Sequence, residues 1–270
     1  MAILALNSSA TGLSALSTDL DIIAHNLANV NTDGYKASRA NFQDLLYIEK
    51  QQPGVRNANN DLRPTGLYVG LGVKVAGTQQ NFSQGPVKPT GNELDIMIEG
   101  DGFYRVRVSD DIAPGGIAYT RAGNFTLNAD GKIVLANDQG PILQPEITIP
   151  PDATKIDINA DGLVLVQVPG QTDPQELGRI QLAKFINPAG LKQLGDNLWA
   201  ETVASGSPLE GDPGTDGRGT IMQNMLEGSN VDPMTELVNM IQTQRAFELN
   251  SQAIKAADQM LQQISNLRRF

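Results

Sequence analysis

Apolar residues recur at intervals of three and four near both ends of the chain, and this spacing constrains the fold more than any other feature. Near the N-terminus the spacing is unbroken from Leu13 to Val30. It is the a/d pattern of a helix that packs along a partner helix. Near the C-terminus apolar residues recur every seven positions, after Asp232 and Pro233, which are typical of a helix start. The seam residues are Leu13, Leu16, Leu20, Ile23, Leu27 and Val30 on the first predicted helix and Met240, Phe247, Ile254 and Leu261 on the second.

Between the two ends, short apolar or alternating runs are separated by turns that contain glycine. Residues 94–108, 125–135 and 147–168 are rich in β-branched and aromatic side chains, and Asp-Gly pairs interrupt them. Residues 178–186 and 197–202 add two further runs. This pattern predicts a central, mainly antiparallel β domain, so the chain as a whole is predicted to be α+β.

Two stretches join the β region to the terminal helices. Residues 51–66 and 205–219 are dense in Gly, Pro, Asn and Asp, a composition that favours extended or hinge segments. The predicted organisation is a coiled-coil-like helical stem, an extended connector and an outer β domain. The predicted bounds are 1–40 and 230–270 for the stem, 41–92 and 206–229 for the connector and hinge region, and 93–205 for the β domain.

Composition excludes several classes of function. The formal net charge of -10 argues against nucleic-acid binding, because phosphate recognition needs a concentrated basic surface. The chain has no cysteine, so disulfides and thiolate chemistry are excluded. No apolar run approaches the roughly 20 residues that cross a bilayer, so membrane insertion is not expected. The first Lys or Arg is Lys36, so a cleaved signal peptide is not expected either.

No catalytic or cofactor site is predicted. His25 is the only imidazole, it lies opposite the apolar seam, and no G-x-S-x-G motif accompanies it, so a surface or structural histidine is expected. The paired glycines in residues 66–72 and 99–103 complete neither a G-x-G-x-x-G motif before a helix nor a P-loop. The neighbouring acids Asp110 and Asp111 are expected to be solvated loop residues rather than a glycosidase pair.

Two Asn-Ala-Asp-Gly tetrapeptides, residues 128–131 and 159–162, resemble fragments of a calcium loop. An EF-hand also needs a glutamate at its twelfth position. Counted from either Asn, that position holds Gln139 or Gly170. The two tetrapeptides are therefore predicted to be turns with a left-handed glycine, and no metal site is predicted.

The first predicted helix carries few charges beside its apolar seam. Positions flanking the seam are Ser17, Asp19, Ala24 and Asn26, whereas a coiled coil usually solvates its outer face with Glu and Lys. Such helices are expected to be covered on more than one side. Other copies of the chain are one possible cover, because a head-to-tail contact that does not close produces a helical filament. The alternative is a two-helix hairpin packed on the β domain.

Both ends also carry motifs that resemble those of a known family. The motif "HNLANVNTDGYK" begins at residue 25, and "SNVDPMTELVNMIQTQRAFELNSQAIKAADQMLQ" spans residues 229–262. Both are similar to signatures of the axial proteins of the bacterial flagellum, the rod and hook subunits. Asn is common in that family where this chain has His25. The resemblance extends through "GDGFYRV", "YTRAGNFTLNADG" and "DNLWAETVASG", and so covers essentially the whole chain.

One internal segment resembles a particular branch of this family. The stretch "FQDLLYIEKQQPG", followed by "LRPTGLYVGLGVKV", looks like the segment that follows the first helix in distal rod members and that hook proteins typically lack. We expect this connector to wedge between subunits and prevent them from sliding, and a deletion of residues 47–64 would test the idea. The rod-specific connector residues are Tyr47, Gln52, Pro53, Gly54, Pro64 and Gly66.

The resemblance implies a structural protein without enzymatic activity or a cofactor. It implies a stiff, hollow helical tube in the basal body that crosses the periplasm, with terminal helices lining the channel and β domains facing outward. The implied partners are further copies, proximal rod subunits, hook subunits, the ring proteins of the peptidoglycan and outer membrane, and the flagellar type III export apparatus. Two alternatives remain: a proximal rod or hook-type subunit, and a secreted β-rich calcium-binding or glycan-acting protein.

The segment "ANVNTDGYK", residues 28–36, is predicted to end the channel-lining helix and redirect the chain outward into the connector. Asn29 and Asn31 can satisfy backbone groups at the helix end, and Gly34 permits the turn. Together with Asn26 and the two apolar seams, these residues are the predicted self-assembly residues. If Gly34 needs a positive φ, Gly34→Val should abolish assembly while the β domain still folds.

Overall fold

The computed structural model describes residues 2–54, 64–170 and 173–267. Helix α1 is Ala2–Ala28 and helix α2 is Pro233–Leu267, and short strands fill the chain between them. The predicted α+β class is therefore confirmed. In chain order the strands are β1 Ser38–Asp44, β2 Tyr47–Gln51, β3 Leu67–Gly70, β4 Val73–Gln80, β5 Val87–Pro89, β6 Ile96–Glu99, β7 Phe103–Arg107, β8 Ile117–Thr120, β9 Phe125–Leu127, β10 Ile133–Leu135, β11 Ile142–Gln144, β12 Lys155–Ile158, β13 Leu163–Gln167, β14 Gln175–Arg179, β15 Leu182–Lys184, β16 Lys192–Gly195, β17 Leu198–Ala200, β18 Leu209–Gly211, β19 Thr220–Gln223 and β20 Met225–Glu227.

The chain forms two compact units. The helical unit comprises Met1–Ala28, Ser38–Gln80 and Asp232–Phe270, and the β unit comprises Asn29–Ala37 and Asn81–Val231. The segment that follows α1 thus belongs to the β unit. The division into stem, connector and outer domain predicted from the sequence concerns the assembled protein and stays a prediction.

The helical unit contains the two helices and two antiparallel strand pairs. Strand β1 pairs with β4, from Ser38 opposite Gln80 to Asp44 opposite Val73, and β2 pairs with β3. The connector was expected to be extended, but these pairings were not anticipated. The reason lies in the side chains: every residue of β2 is exposed, so the sequence lacks the alternation that marks a half-buried strand.

The β unit contains the central sheet that the sequence predicts, and all of its strand pairs are antiparallel. The main sheet has the order β16-β17-β8-β7-β11-β10-β9, and β15 joins it between β7 and β18. Strands β12, β13 and β14 form a second sheet, while β19 pairs with β6 and β20 with β5. The largest buried cluster lies between these sheets and includes Ile96, Ile98, Tyr104, Val106, Phe125, Leu143, Val164 and Ile180.

A second, aromatic cluster lies in the same unit. Trp199 is buried and packs edge-to-face against Phe103 and Phe82, with ring centroids 5.8 and 5.7 Å apart. Phe185 packs in the same way against Phe103 and Tyr119. Because Trp199 is the only tryptophan in the chain, its fluorescence reports on the β unit alone.

Both Asn-Ala-Asp-Gly tetrapeptides are turns, as predicted. The Asn128 side-chain oxygen accepts hydrogen bonds from the backbone amides of Asp130 and Lys132, so its hydrogen-bond partners lie within the turn itself. Gly131 and Gly162 adopt φ values of 74° and 82°, in the left-handed region. These turns are explained by backbone geometry without a bound ion.

Candidate functional site: a buried ion network and paired terminal helices

A buried carboxylate at the end of β20 lies between two cations. Glu227 accepts a hydrogen bond from Lys36 Nζ at 2.6 Å on one oxygen and from Arg121 Nε at 2.9 Å on the other. The backbone amide of Gly85 donates to the first oxygen at 2.9 Å. All three side chains are at most 4% exposed. We call Lys36, Arg121 and Glu227 the ion network.

The remaining donors of the ion network reach backbone carbonyls. Lys36 Nζ donates to the carbonyl of Ser83 at 2.7 Å, and Arg121 Nη1 donates to those of Gly100 and Gly102 at 2.8 and 2.7 Å. Buried charges are tolerated when they are paired and hydrogen-bonded in this way. The network therefore ties together chain segments that are far apart in sequence.

The pKa values of the ion network reflect competition between burial and charge. Burial would raise the pKa of Glu227, but Arg121 and Lys36 outweigh it and hold the pKa below its ordinary value of 4.5. Burial lowers the pKa of Lys36, and the Glu227 carboxylate opposes that change. Glu227 is accordingly an anion at neutral pH and compensates the cations around it.

The segment after α1 is built into the β unit around this network. The Gly34 amide donates to the Glu227 carbonyl at 2.7 Å, and the Ala37 amide donates to the Asn230 side chain at 2.7 Å. The Asn197 side chain donates to the Asp33 carbonyl at 3.0 Å. The segment therefore also places Lys36 in the core, and its predicted role in redirecting the chain into the connector stays a prediction.

Gly34 has the positive φ that the sequence predicts, at 73°. A Cβ atom at this position would lie 2.7 Å from the backbone nitrogen of Ala122, inside the β unit. Gly34→Val should therefore strain the β unit as well as any contact between subunits, and whether the β domain still folds in this variant stays a prediction. The Asn29 side-chain oxygen accepts from Thr32 Oγ1 at 3.1 Å, and Asn31 is exposed, so their predicted role at the helix end stays a prediction.

The two predicted apolar seams belong to helices that run antiparallel in the helical unit. Ile23 is buried, and most of the other seam residues are half-buried. Phe247 is more exposed, and Val30 lies beyond the end of α1, in the β unit. The half-buried seam residues are Leu13, Leu16, Leu20 and Leu27 on α1 and Met240, Ile254 and Leu261 on α2.

Three polar layers accompany the apolar seam between the helices. Asn26 Nδ2 donates to Glu236 Oε1 at 3.2 Å, and Thr243 Oγ1 donates to Asp19 Oδ2 at 3.0 Å. At the third layer, a Cβ on Gly12 would lie 3.5 Å from the Asn250 side chain. Asn26 also exchanges two hydrogen bonds with the backbone of Ser38, at 2.8 and 2.9 Å. The three polar layers are therefore Gly12 with Asn250, Asp19 with Thr243, and Asn26 with Glu236.

These layers repeat every seven residues on both helices. The sequence contains that signal, since Gly12, Asp19 and Asn26 are evenly spaced, but it does not show which residues of α2 they face. A seven-residue repeat keeps each layer on the face that packs against the partner helix.

The opposite side of α2 presents an exposed apolar stripe. Met234 and Leu249 are 69% and 66% exposed, and three aliphatic residues between them are about half exposed. At 3.6 residues per turn these positions lie on the side of α2 that faces away from the three polar layers. The exposed stripe consists of Met234, Leu237, Val238, Ile241 and Leu249.

The connector residues lie in and around the ribbon formed by β2 and β3. Tyr47 and Tyr68 are each at least half exposed, and their hydroxyls donate to Asp44 at 2.8 Å and to Glu49 at 3.3 Å. Gln52, Pro53, Gly54 and Pro64 are exposed, and Gly66 is half-buried. Residues 55–63 of the predicted connector lie outside the described residues.

The remaining candidate residues lie at the surface of their respective units. His25 is exposed on α1, as expected, and Asp110 and Asp111 lie in an exposed or half-exposed loop. Among the described residues, no three His, Cys, Asp or Glu side chains are grouped so that they could hold a metal ion. No helix in the described ranges has the length and apolar character needed to span a membrane.

Three family profiles match successive parts of the chain. Residues 6–36 match the flagella basal body rod protein family, and residues 97–166 match the D1 domain of the flagellar hook protein FlgE/F/G family. Residues 222–267 match the C-terminal region of the flagellar basal body rod FlgEFG family.

Curated relatives match over nearly the full length. The flagellar basal-body rod protein FlgG of Buchnera aphidicola subsp. Schizaphis graminum is 45% identical, over 96% of this chain and 97% of that protein. FlgG of Caulobacter vibrioides is 44% identical, over 98% and 99%. FlgF of the same organism is 34% identical, over 86% and 84%. The two helices α1 and α2 lie largely within the N-terminal and C-terminal regions that match. Because its relatives match at this identity over nearly the full length, the chain belongs to the FlgG family of flagellar basal-body rod proteins.

Proposed function

We propose that the chain is a structural subunit of the distal rod of the flagellar basal body. It polymerises into a stiff, hollow helical tube that transmits torque from the motor to the hook and lets exported subunits pass. The observation that carries the proposal is the pair of opposed faces on α2: one is covered by α1, and the other is the exposed stripe. A helix with two such faces needs a second neighbour, and further copies of the chain supply it.

The energetics favour a lattice over a single dimer. Covering a half-exposed aliphatic side chain contributes roughly 1 kcal/mol, so the exposed stripe supplies on the order of 5 kcal/mol. Association itself costs about 4–15 kcal/mol in lost freedom. One contact of this kind is therefore insufficient, whereas a tube in which each copy has several neighbours multiplies it.

The ribbon accounts for the stiffness of the tube. A two-stranded ribbon with both faces in solvent is marginally stable by itself, and it gains stability when a neighbour covers it. Its exposed Tyr47, Ile48, Leu67 and Tyr68 offer that neighbour an apolar and aromatic surface. A ribbon held between two subunits would block the sliding that bending requires.

The remaining partners follow from the position in the rod. Proximal rod subunits lie at one end and hook subunits at the other, the peptidoglycan and outer-membrane ring proteins surround the tube, and the flagellar type III apparatus exports the chain. Among rod proteins of Caulobacter vibrioides, FlgG is 44% identical to this chain and FlgF is 34% identical, which favours a FlgG-type subunit. The calcium-binding alternative is disfavoured because backbone amides occupy the Asn128 oxygen.

The direct test is negative-stain electron microscopy of the concentrated protein. Straight hollow tubes of constant diameter are expected, since the helical unit has apolar surface left to cover. The same preparation with Met234→Ser, Val238→Ser and Ile241→Ser should remain monomeric. Tubes that form equally well from this variant would contradict the role of the exposed stripe.

Removing the ribbon should yield tubes that bend. The Leu71 amide donates to the Leu46 carbonyl at 3.1 Å, so Tyr47–Gly70 can be replaced by an Asn-Gly turn without disturbing β1 and β4. We expect such tubes to assemble with a persistence length several-fold lower, measured from their contours in micrographs. Tyr47→Phe, which keeps the ribbon, is the control. Deletion tubes as straight as those of the parent would contradict the proposed wedge.

A further inference from the structure

We propose that the three polar layers select which α2 helix pairs with α1, and in which register. This inference deepens the proposed function, because a tube brings many identical α1 and α2 helices together. The apolar seam cannot make that choice alone. Its residues repeat every seven positions on both helices, so a slip of one heptad would again place apolar side chains opposite apolar side chains.

The polar layers penalise one slipped register and change the pairs in the other. In the observed antiparallel register, Asp19 lies against Thr243 and Asn26 against Glu236. A slip of one heptad in one direction would bring Asp19 opposite Glu236, two carboxylates at a half-buried position. A slip in the other direction would carry Glu236 past Ala28, where α1 ends, so Asn26 would lose its bond to Glu236 and face Thr243 instead.

Charge and burial support the first of these penalties. Burial raises the pKa of Glu236, and Asp19 and Asp232 raise it further. A closer approach of Asp19 to Glu236 would therefore be unfavourable. Asp19 is satisfied in the observed register by the Thr243 hydroxyl. The polar layers therefore add a preference to that of the apolar seam, because only the observed register pairs Asp19 with a hydroxyl and Glu236 with an amide.

A reciprocal exchange tests the inference. Thr243→Asp places a second carboxylate against Asp19 in the observed register, and the minimum concentration for tube assembly should rise roughly tenfold, because two like charges would lie at a half-buried position. Adding Asp19→Thr restores one hydroxyl and one carboxylate in reversed positions. Assembly should then return to within about twofold of the parent.

Gln259→Asp is the matched control, because it adds the same charge to an exposed position of α2 that lies beyond the exposed stripe. It should leave assembly unchanged. The inference is overturned if Thr243→Asp assembles like the parent, or if the exchanged double variant assembles no better than Thr243→Asp alone. If the parent forms no tubes, the proposed function fails, and helix content at 222 nm in the same three variants decides the inference by the same pattern.

Discussion

Glu227→Gln should destabilise the β unit by about 3–5 kcal/mol, because it removes the one anion that compensates two buried cations. The amide of Gln can accept from Lys36 or from Arg121, but it carries no charge and turns two donors of its own toward them. Such a loss is a large part of the 5–15 kcal/mol by which domains are usually stable. Urea unfolding followed by Trp199 fluorescence measures this unit specifically, because Trp199 is the only tryptophan and is buried there.

A surface ion pair in the same unit provides the control. Lys155 pairs with Asp157 at 2.6 Å, and both side chains are about half exposed. Asp157→Asn should therefore cost less than about 1 kcal/mol. Equal costs for the two substitutions would contradict the assignment of the ion network as the main electrostatic tie of the β unit.

Gly34→Val should cost the β unit about 2–5 kcal/mol and prevent tube assembly at ordinary concentrations. A left-handed backbone costs a non-glycine residue about 1–2 kcal/mol, and Val is less tolerant than most. The Cβ would also lie 2.7 Å from the Ala122 nitrogen, so the close approach of the two segments must open. Because Gly34 donates its amide to the Glu227 carbonyl, that opening disturbs the ion network as well.

Gly206→Val separates backbone strain from crowding. Gly206 has φ of 76°, nearly that of Gly34, but a Cβ there would meet nothing within 4 Å. It should cost only the backbone term of about 1–2 kcal/mol in the same Trp199 assay. If Gly34→Val cost no more than Gly206→Val and assembly still failed, the segment would act between subunits, as the sequence alone suggested.

Periodic patterns made the helices and the central strands predictable. The three-four spacing from Leu13 onward and the alternation through residues 94–108 both arise because one side of the element is buried. Strand β2 has no such pattern, because all of its side chains are exposed. For that strand the sequence offered composition only, and composition indicated an extended segment without a pairing partner.

The ion network was beyond sequence reasoning for a different reason. Lys36 and Glu227 are separated by 191 residues, and Arg121 and Glu227 by 106, so no local motif joins them. A lone Lys after a turn and a lone Glu at a strand end are ordinary surface residues by composition. The three polar layers, by contrast, leave a signal in the sequence, because their residues are spaced seven positions apart on each helix.

The distance between Lys36 and Glu227 along the chain also fixes an order of events in synthesis. A polypeptide emerges from the ribosome N-terminus first, so Lys36 is made 191 residues before Glu227, whose carboxylate pairs with it. Until then Lys36 has no Glu227 carboxylate to pair with, so the ion network cannot form. Contacts of such long range also form slowly, because the loop must be closed first. The ion network is therefore expected to be completed only after the chain has been made as far as Glu227.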